Sequence, residues 1–593
     1  MQIDNGNVTI GNSRLININN TDLSTIIQFW NTDNIVVDNL VTYGCTSSNI
    51  LEFTNYYDEP LGDPVQLQNS QFGSASAGGV HATNHSLTVT NTTFDSLVGE
   101  AIGLDNPDGS QLTVSGCNIT NSGSAVSVQR THLLITQSLV RNCSGGYSVM
   151  AIYSGGSGSL NDTTNQTATI DGCSFVNNTG GQGMIYMLGY DQYPVQGLNV
   201  YNSNFSGNTG ESLGPVTLFA VGHVAIQNCV FEENVANTGL GALYVYGYPS
   251  QVTFLTVRSS SFVANNGTRS ALPPTEGAGI TDTAECGGLY ASYCACVGVI
   301  DSVFENNTGI GFAVHGHGST LGSCGSSDPV LFNQSTIVDS NGTAFFQNFM
   351  GRYDDIEIGL DIRGSSFTRN YAASVVRTTA EPETEPTDFL TGGAGLDILD
   401  VQFSFLSNNT FQDNVGRQGS GLNLDTCFLS IVWNCSFHNN TAAKQGGALA
   451  LVNSHNLGVL VANSSLTYGQ AVTGGAIYGD AGATITISNS SQIAHNVAVT
   501  DGGGVYCSSC QSLVLQMESE ISSNAAYQSG GGCYCDSCVT FTADNTSLMN
   551  NRYAYSLHCC LTQTTDSAHA FDDVFMWHAC ENVFMVTKAV IMH

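Results

Sequence analysis

Basic side chains are scarce in this chain. Its 593 residues include 47 acidic side chains but only 13 lysines and arginines, which gives a formal net charge of −34. Lysine occurs only at Lys444 and Lys588. Because binding to nucleic acid or to an anionic membrane surface depends on clustered cations, this composition argues against both kinds of partner.

Long apolar runs and a helix-favouring composition are also missing. No stretch reaches the roughly 18 uncharged apolar residues of a membrane-spanning helix. The closest, residues 583–592, is short and contains Lys588. At 41% hydrophobic residues the chain is too apolar for disorder, and 66 glycines with abundant Asn, Ser and Thr supply turns. The composition therefore predicts a turn-rich, all-β protein.

Glycine clusters recur at a fixed interval towards the C-terminus. They begin at Gly446, Gly474, Gly502 and Gly530, each 28 residues after the one before. Short alternating β-type runs such as residues 483–488 lie between the clusters. A unit of this length, with three short strands and polar turns, predicts a right-handed parallel β-helix in which each strand pairs with its equivalent in the next coil.

The repeats predict one elongated domain over residues 1–593, with roughly 20 coils spaced about 4.8 Å apart. Stretched motif spacing predicts loop insertions near residues 56–64, 269–286 and 372–391. Residues 556–593 are expected to form an irregular end or a docking segment. The last insertion holds an acidic, proline-rich run, for which a solvated loop is preferred to a calcium-binding or partner-binding role.

A second motif places an apolar residue three positions before an Asn. We expect the apolar side chain to stack inside the coil. The Asn is expected to turn the corner in a left-handed conformation, with its amide bonded to the equivalent Asn of the neighbouring coil. The motif begins at Phe175, Phe205, Phe231, Phe262, Phe304, Phe345, Phe367, Phe411, Phe437, Ile493 and Ile521.

The combination of Gly-Gly-Ala-apolar and Phe-x-x-Asn motifs resembles the repeats of the chlamydial polymorphic outer-membrane proteins. More broadly, it resembles right-handed parallel β-helices of the pectin-lyase-like class. The resemblance covers roughly residues 170–555, with the clearest Gly-Gly-Ala copies at 392–394, 446–448 and 474–476. It implies an adhesive surface role. The chain departs from that family in its many sequons and cysteines, which favour a eukaryotic secreted protein.

Asn-x-Ser/Thr sequons and 19 cysteines both indicate an oxidising, extracellular or cell-surface location. The chain opens without a basic or apolar leader, so we expect a signal peptide to be already removed or to lie outside this sequence. N-glycans are expected to leave the coil at its corners. The predicted glycosylation sites are Asn7, Asn19, Asn84, Asn91, Asn118, Asn142, Asn161, Asn165, Asn177, Asn204, Asn266, Asn306, Asn333, Asn341, Asn408, Asn434, Asn439, Asn463, Asn489 and Asn545.

Two cysteine pairs, Cys507-x-x-Cys510 and Cys535-x-x-Cys538, have the spacing of a four-cysteine zinc site. They are also separated by one repeat, which brings stacked coils within disulfide distance. In a secreted protein disulfides are preferred to zinc, so we predict no metal and no other cofactor, with calcium kept as an alternative. Further disulfide candidates are Cys533, Cys286, Cys294, Cys296, Cys324, Cys559, Cys560 and Cys580.

Fragments similar to a polygalacturonase signature are present but are not assembled. Residues 31–33 read Asn-Thr-Asp, 316–318 read Gly-His-Gly and 354–355 read Asp-Asp. Their order is wrong, and the first two lie too many coils apart for carboxylates to cooperate. Arg352 beside the Asp pair, and Arg363 after Asp361, are interpreted as solvated salt bridges. We therefore predict no catalytic residue.

Apolar strands close to both ends favour docking of one copy on another, and head-to-tail docking produces a filament. The leading hypothesis is a secreted, N-glycosylated, non-enzymatic protomer of an extracellular filament, cell coat or appendage. The first alternative is an adhesive or carbohydrate-binding surface protein that acts as a single rod, and the second is a polysaccharide lyase or hydrolase. An unglycosylated groove lined by Tyr or Trp favours the first alternative. Extracellular polysaccharide and other coat proteins are the expected partners.

Overall fold

Strands are the only regular elements in the described part of the chain. No helix there is long and apolar enough to cross a membrane. The computed structural model describes residues 2–4, 7–18, 25–32, 34–55, 62–105, 110–154, 166–189, 195–237, 240–247, 253–267, 286–315, 330–340, 345–348, 359–372, 393–399, 401–453, 458–480, 482–553, 559–561 and 589–592.

The chain divides into two compact units. Unit 1 comprises residues 1–297 with 318–320, and unit 2 comprises residues 298–317 with 321–593. Within each unit, strands of successive turns pair in parallel and build ladders. We number the ladders first to fourth, in the order in which the chain passes through them in one turn.

Unit 1 has long first and second ladders, with shorter strands in the third and fourth. Its first ladder contains Gln2–Asp4, Thr25–Trp30, Asn49–Thr54, Gly78–Thr83, Glu100–Asp105, Ser124–Gln129, Ser148–Tyr153, Gly183–Leu188, Val216–Phe219, Leu243–Tyr246 and Cys286–Ser292. Its second ladder contains Val8–Ile16, Ile35–Tyr43, Gly62–Gln68, His85–Thr90, Gln111–Ser115, His132–Thr136, Thr167–Asp171, Val195–Tyr201, Val221–Gln227 and Phe254–Arg258. The third contains Gln71–Ala75, Thr93–Leu97, Asn118–Thr120, Leu139–Arg141, Ser174–Val176, Asn204–Ser206, Val230–Glu232 and Ser261–Val263, and the fourth contains Ser144–Gly145, Thr179–Gly180, Thr209–Gly210 and Val235–Ala236.

Unit 2 also has four ladders, and the boundary between the units in the sequence falls within the strand Cys296–Ile300. The first ladder of unit 2 contains Ile310–His315, Phe345–Asn348, Leu396–Leu399, Leu422–Asp425, Leu449–Val452, Ile477–Gly479, Val505–Ser508, Cys533–Cys538 and Cys559–Leu561. The second contains Val330–Asn333, Gly359–Arg363, Phe403–Ser407, Leu429–Trp433, Gly458–Ala462, Thr484–Ser488, Ser512–Gln516 and Thr540–Asp544. The third contains Val303–Glu305, Thr336–Val338, Ser366–Thr368, Thr410–Gln412, Ser436–His438, Ser465–Thr467, Gln492–Ala494, Glu520–Ser522, Thr546–Met549 and Ala589–Met592, and the fourth contains Val415–Gln418, Thr441–Gln445, Gln470–Ala471, Val497–Ala498, Ala525–Ala526 and Arg552–Tyr553.

Side-chain alternation along each strand separates the core from the surface. In the second ladder, Leu112 and Val114 are buried and pair in register with Leu133 and Ile135 of the next turn. The residue between the first two, Thr113, faces outward and is half-buried. The predicted all-β parallel solenoid is confirmed.

The Phe residues of the repeated motif stack inside the third ladder, as predicted, with one exception. Phe345 lies in a first-ladder strand, and Ile337 takes the third-ladder position of that turn, which corrects the prediction there. In unit 1 the ring centroids of Phe205 and Phe231 lie 4.7 Å apart, and those of Phe231 and Phe262 lie 4.6 Å apart, with nearly parallel rings. In unit 2 the rings of Phe411 and Phe437 lie 4.5 Å apart. Each turn thus repeats the same large apolar contact with the next turn.

The Asn of the motif forms a buried ladder of side-chain amides. Nδ2 of Asn208 donates to Oδ1 of Asn234 at 3.1 Å and to the carbonyl oxygen of Phe175 at 2.9 Å. Oδ1 of Asn208 accepts from the backbone N–H and from Nδ2 of Asn178, both at 3.0 Å. The predicted bonding between neighbouring turns is confirmed, and it satisfies polar groups that burial would otherwise make costly.

The left-handed residue at this corner, however, is not the ladder Asn, which corrects the prediction. It is the preceding residue, for example Asn177 with φ 54° or Asn439 with φ 53°. The ladder Asn must keep its side chain inside the coil, so the chain reverses one residue earlier, where the side chain faces solvent. Asn tolerates the left-handed region better than most residues, which explains its frequency there.

The predicted insertions fall largely outside the described residues, which omit 56–61, 268–285 and 373–391. Where the structure describes their margins, it shows strands: Gly62–Gln68 occupies the end of the first predicted insertion, and Cys286–Ser292 begins at the end of the second. The segment 556–593 is described only at 559–561 and 589–592. A single elongated domain, and docking through its ends, stay predictions.

Candidate functional site

The sequons of the described residues lie mainly on the second and third ladders and at their corners. Asn91, Asn434 and Asn439 are exposed there. No sequon lies in a described strand of the first ladder. Asn84, at the corner that follows the first ladder, is buried. Asn19, Asn161, Asn165 and Asn341 lie outside the described residues, and glycan attachment at any sequon stays a prediction.

One series of register positions in the first ladder of unit 1 changes in character from turn to turn, and its members from Ala151 onward are buried. Polar and titratable side chains come first, small residues follow, and aromatic residues predominate in the last turns. In register order these positions are Gln28, Glu52, His81, Gly103, Ser127, Ala151, Tyr186, Thr217, Tyr244 and Tyr290.

The small residues in the middle of this series form part of a groove of about 350 Å³. Ser127 and Ala151 contribute to its lining, together with Glu100 and the rings of Tyr147 and Tyr153. The remaining lining residues are Val98 and a set of glycines and serines from the adjacent corners. The volume is in the range of small-ligand pockets in proteins.

Glu100 is the charged group of this groove, and its surroundings favour the neutral form. Part of the Glu100 side chain is exposed to solvent. Its carboxyl group, however, is packed against neighbouring atoms that remove much of its hydration. Burial raises the pKa of Glu100 to about 7, and a hydrogen bond with Ser127 offsets part of that effect. Near neutral pH this carboxyl can therefore either donate or accept a hydrogen bond.

Gly103 allows Glu100 and His81 to approach the same point. A Cβ atom built on Gly103 would meet both Oε2 of Glu100 and Nδ1 of His81, so a larger residue would displace these two side chains. Burial lowers the pKa of His81, and the charges of Glu52 and Asp105 oppose that shift. The glycine thus opens space for two titratable groups on adjacent turns.

Glu52, one turn before His81, is held by its neighbours. The hydroxyl of Thr25 donates to one carboxylate oxygen, and Nε2 of Gln28 donates weakly to the other at 3.4 Å. His81 therefore faces a fixed carboxylate from the preceding turn.

Aromatic rings border the groove on its other side. Tyr147, with 48% of its surface exposed, meets Tyr186 edge to face, with centroids 5.2 Å apart. The ring centroids of Tyr186 and Phe219 lie 5.8 Å apart, and those of Phe219 and Tyr246 lie 5.6 Å apart. The rings are tilted against one another by more than 50°, and Tyr147 is exposed whereas Tyr186 is buried.

Sequence reasoning did not identify this site. Ala151 lies 24 residues after Ser127, but Tyr186 lies 35 residues after Ala151, so no fixed spacing links positions that are neighbours in the structure. The available signal was indirect: the segment from Tyr147 to Tyr246 is rich in aromatic residues that the Phe-x-x-Asn motif does not use.

The four cysteines of the paired Cys-x-x-Cys pattern meet in the interior of unit 2. Cys507 pairs in register with Cys535 of the next turn, and both are buried. The Sγ atoms of Cys507, Cys510 and Cys538 all lie within 4.8 Å of one another. Hydrogen bonds from the neighbouring thiols, chiefly that of Cys507, lower the pKa of Cys538, while burial opposes that shift.

The other cysteines divide into two groups. Cys296 is disulfide-bonded, whereas Cys294 carries a thiol. Cys286 is buried and Cys533 is half-buried. The side chains of Cys324, Cys559, Cys560 and Cys580 lie outside the described residues. Disulfides at these candidates other than Cys296 stay predictions.

Several buried thiols that the sequence analysis did not single out occupy a corner position that is Ser in other turns. Sγ of Cys229 donates to the carbonyl oxygens of Gln227 at 3.3 Å and Val200 at 3.5 Å, as Ser hydroxyls do elsewhere at this corner. Burial raises the pKa of Cys229 to about 11. These thiols are structural substitutes for serine.

The fragments similar to a polygalacturonase signature are not brought together. Arg363 forms an ion pair with the buried Asp361, with Nε and Oδ1 2.7 Å apart. Asn31 and Thr32 lie at the end of a first-ladder strand in unit 1. Asp33, residues 316–318, Arg352, Asp354, Asp355 and Glu357 lie outside the described residues.

These features define a parallel β-solenoid that carries a groove with acidic and aromatic sides on one ladder. No protein-family model and no curated protein matches the chain. Among solved structures it is similar to the PL6 family alginate lyase AlyGC, at 11% identity over 93% of this chain and 97% of that chain. The TM-score is 0.17, so this likeness carries no argument. The resemblance to chlamydial repeats stays a prediction.

Proposed function

We propose that this protein is an extracellular carbohydrate-binding solenoid that binds neutral glycans in the groove of unit 1. The observation that carries the proposal is the position of Glu100, Tyr147 and Tyr153 around one groove. The first-ladder strands that line this groove hold no sequon, and on the fourth ladder its lining residue Ser144 belongs to the sequon of Asn142.

The chemistry of the groove suits a sugar ring. An exposed aromatic face packs against the C–H groups of a pyranose, and Tyr147 and Tyr153 offer such faces. Sugar hydroxyls need hydrogen-bond partners that can both donate and accept. The carboxyl of Glu100 and the hydroxyls of Ser124 and Ser127 supply them.

The charge of the groove favours a neutral glycan. Glu100 is the one ionisable acid or base among its described lining residues apart from the tyrosines. Glu52 and Asp105 add negative charge beside His81. A uronate or sulfate group would meet this field without a compensating cation, which disfavours its binding.

Secretion and N-glycosylation are part of this proposal. The left-handed corner positions that present Asn177 and Asn439 to solvent are accessible to glycan attachment without disturbing the core. Filament formation by end-to-end association stays a prediction, and glycan binding by unit 1 is compatible with it.

The test is a binding assay with the full-length, glycosylated protein against neutral polysaccharides, with alginate and polygalacturonate as anionic comparisons. We expect binding to a neutral glycan and little binding to either uronate. Because two stacking faces are removed, Tyr147→Ala combined with Tyr153→Ala should weaken the affinity by about tenfold or more. Tyr43→Ala, at an exposed Tyr on the second ladder, is the matched control.

The proposal is wrong if no neutral glycan binds, or if the control variant loses as much affinity as the double variant. The unfolding temperatures of all three proteins must be compared, so that lost binding is not confused with lost folding. Preferential binding of the uronates would contradict the assignment of a neutral ligand.

Glycan cleavage is a second candidate, favoured by the pKa of Glu100 near 7 and by the adjacent His81. A carboxyl with such a pKa is suited to act as a general acid at neutral pH. The same glycans should therefore be incubated with the protein and assayed for new reducing ends. Cleavage that is lost in Glu100→Gln would replace the binding function by an enzymatic one.

A further inference from the structure

Two Cys-x-x-Cys corners lie one above the other in adjacent turns of unit 2. In each, the first cysteine lies in a strand of the first ladder and faces the core. A left-handed serine then reverses the chain, Ser509 with φ 54° in one turn and Ser537 with φ 59° in the next. The second cysteine, Cys510 or Cys538, returns to the core directly after it.

The sulfur positions fit a tetrahedral ion. With zinc–sulfur bonds of about 2.3 Å, four sulfurs around zinc lie about 3.8 Å apart. The Sγ atoms of Cys507, Cys510 and Cys538 are already within 4.8 Å of one another. Cys535 is the register partner of Cys507 in the next turn and is buried, so its thiol lies beside this group of three.

The preceding turn leaves room for this cluster. Gly479 takes the register position of Cys507 in that turn. A Cβ atom built on Gly479 lies 3.2 Å from Sγ of Cys510, so a larger residue would crowd the sulfur. Each of these two thiols has one backbone acceptor: Sγ of Cys510 donates to the carbonyl oxygen of Gly479 at 3.6 Å, and Sγ of Cys538 donates weakly to that of Cys507 at 3.9 Å.

The serine-replacement role of the other buried thiols does not apply here. Cys435 and Cys229 each stand alone at a corner and donate to two backbone carbonyl oxygens. The thiols of the cluster instead have one another as their main neighbours. The sulfurs of Cys507, Cys510 and Cys538, which come from two turns, form one centre with Cys535 beside it rather than two separate pairs.

We propose that Cys507, Cys510, Cys535 and Cys538 bind one Zn²⁺ ion at a structural site that joins two adjacent turns of unit 2. Each thiol loses its proton to the solvent on binding, and the four thiolates complete a closed tetrahedral shell. The ion connects four points of the core across two turns. This inference is independent of glycan binding by unit 1.

The first experiment measures the zinc content of the full-length protein, purified without chelator from a secretory host grown with zinc. Reactive thiols are counted in the same sample after unfolding, first without and then with a chelator. We expect one zinc per chain and four thiols that react only after the chelator is added. Replacement of zinc by Co²⁺ should give the visible d–d bands and near-ultraviolet charge-transfer bands of a tetrahedral four-thiolate site.

The variants Cys510→Ser and Cys538→Ser should lose the zinc, and the matched control Cys435→Ser should retain it. If the two cluster variants fail to fold, the unaltered protein provides the test. The zinc site then predicts the four-thiolate cobalt spectrum and a lower unfolding temperature when a chelator is added. The inference is overturned if the purified protein contains no zinc and peptide mapping finds disulfides among these four cysteines. Undiminished zinc in Cys538→Ser would overturn it as well.

Discussion

The first ladders of the two units use aromatic residues in different ways. In unit 2 the rings of Tyr478, Tyr506 and Tyr534 stack with centroids 5.5 and 5.3 Å apart and interplanar angles of 4° and 15°. In unit 1 the neighbouring rings of Tyr147 and Tyr186 meet at 82°. The stacked rings of unit 2 cover each other's faces, whereas in unit 1 the ring of Tyr147 stays 48% exposed beside the buried Tyr186.

The difference follows from the regularity of the turns. The three stacked tyrosines of unit 2 are each 28 residues apart, so equivalent rings lie directly above one another. In unit 1 the turns around the groove differ in length, and Tyr147 reaches Tyr186 from a corner rather than from the strand in register. Exact repetition therefore produces a structural stack, and unequal turns produce a surface with a groove.

The prediction with the largest expected effect compares the stacked Phe residues in the cores of the two units. Phe231→Ala in unit 1 and Phe411→Ala in unit 2 each remove a ring that stacks on both sides. Each should lower the free energy of unfolding of its unit by about 3–5 kcal/mol, because a cavity is left in a packed interior. Denaturant titration followed by hydrogen exchange in each unit measures the loss.

Phe428→Ala, at a Phe with 63% of its surface exposed, serves as the control and should change stability little. Strongly unequal losses for Phe231→Ala and Phe411→Ala would show that the two cores are not equivalent.

A smaller effect distinguishes the role of the stacked tyrosines of unit 2 from that of the tyrosines in the groove of unit 1. Tyr506→Ala should lower the free energy of unfolding of unit 2 by about 1–2 kcal/mol, because its ring packs against Tyr478 and Tyr534. Glycan affinity should stay unchanged. Tyr147→Ala should have the opposite result, a lower affinity with little loss of stability. A loss of glycan binding in Tyr506→Ala would remove the distinction between the two surfaces.

The smallest effect concerns the pH dependence of unit 1. Burial raises the pKa of Glu100 to about 7 from an ordinary value of 4.5, so the folded state keeps a proton that the unfolded chain has lost. The stability associated with this proton is complete below about pH 4.5 and is lost as the pH rises through about 7. Glu100→Gln should therefore gain stability relative to the unaltered protein over that interval.

The measurement is the unfolding temperature of both proteins from pH 4 to pH 8. Glu232→Gln, at an exposed carboxyl on the third ladder of the same unit, provides the comparison. A constant difference between Glu100→Gln and the unaltered protein across this range would contradict the shifted pKa.

The parts of the fold that could be predicted from the sequence are those in which one residue type recurs. Phe205 and Phe231 were identifiable because the stack needs the same large apolar side chain in each turn. The buried amide ladder was identifiable for the same reason. The left-handed corner residue was misplaced by one position, because the sequence shows an Asn at both sites and only the backbone distinguishes their roles.

The candidate site could not be predicted, since a binding surface has no reason to repeat. His81, Gly103 and Ser127 occupy one register position in three successive turns and share no chemistry. The cysteine cluster is intermediate: its spacing located the four residues, but the choice between zinc and disulfides depends on how the sulfurs are arranged around one point.

The parallel register of unit 2 has a consequence for how such a gene can change. Leu449 pairs with Ile477, and Ile477 pairs with Val505, at intervals of 28 residues. Deletion of the 28 codons for residues 477–504 would place Val505 on Leu449 with every ladder still in step. Duplication of the same block would add one turn in the same way. Chains of this kind can therefore evolve in length by whole turns, with a new pair of neighbours at each junction but no new architecture.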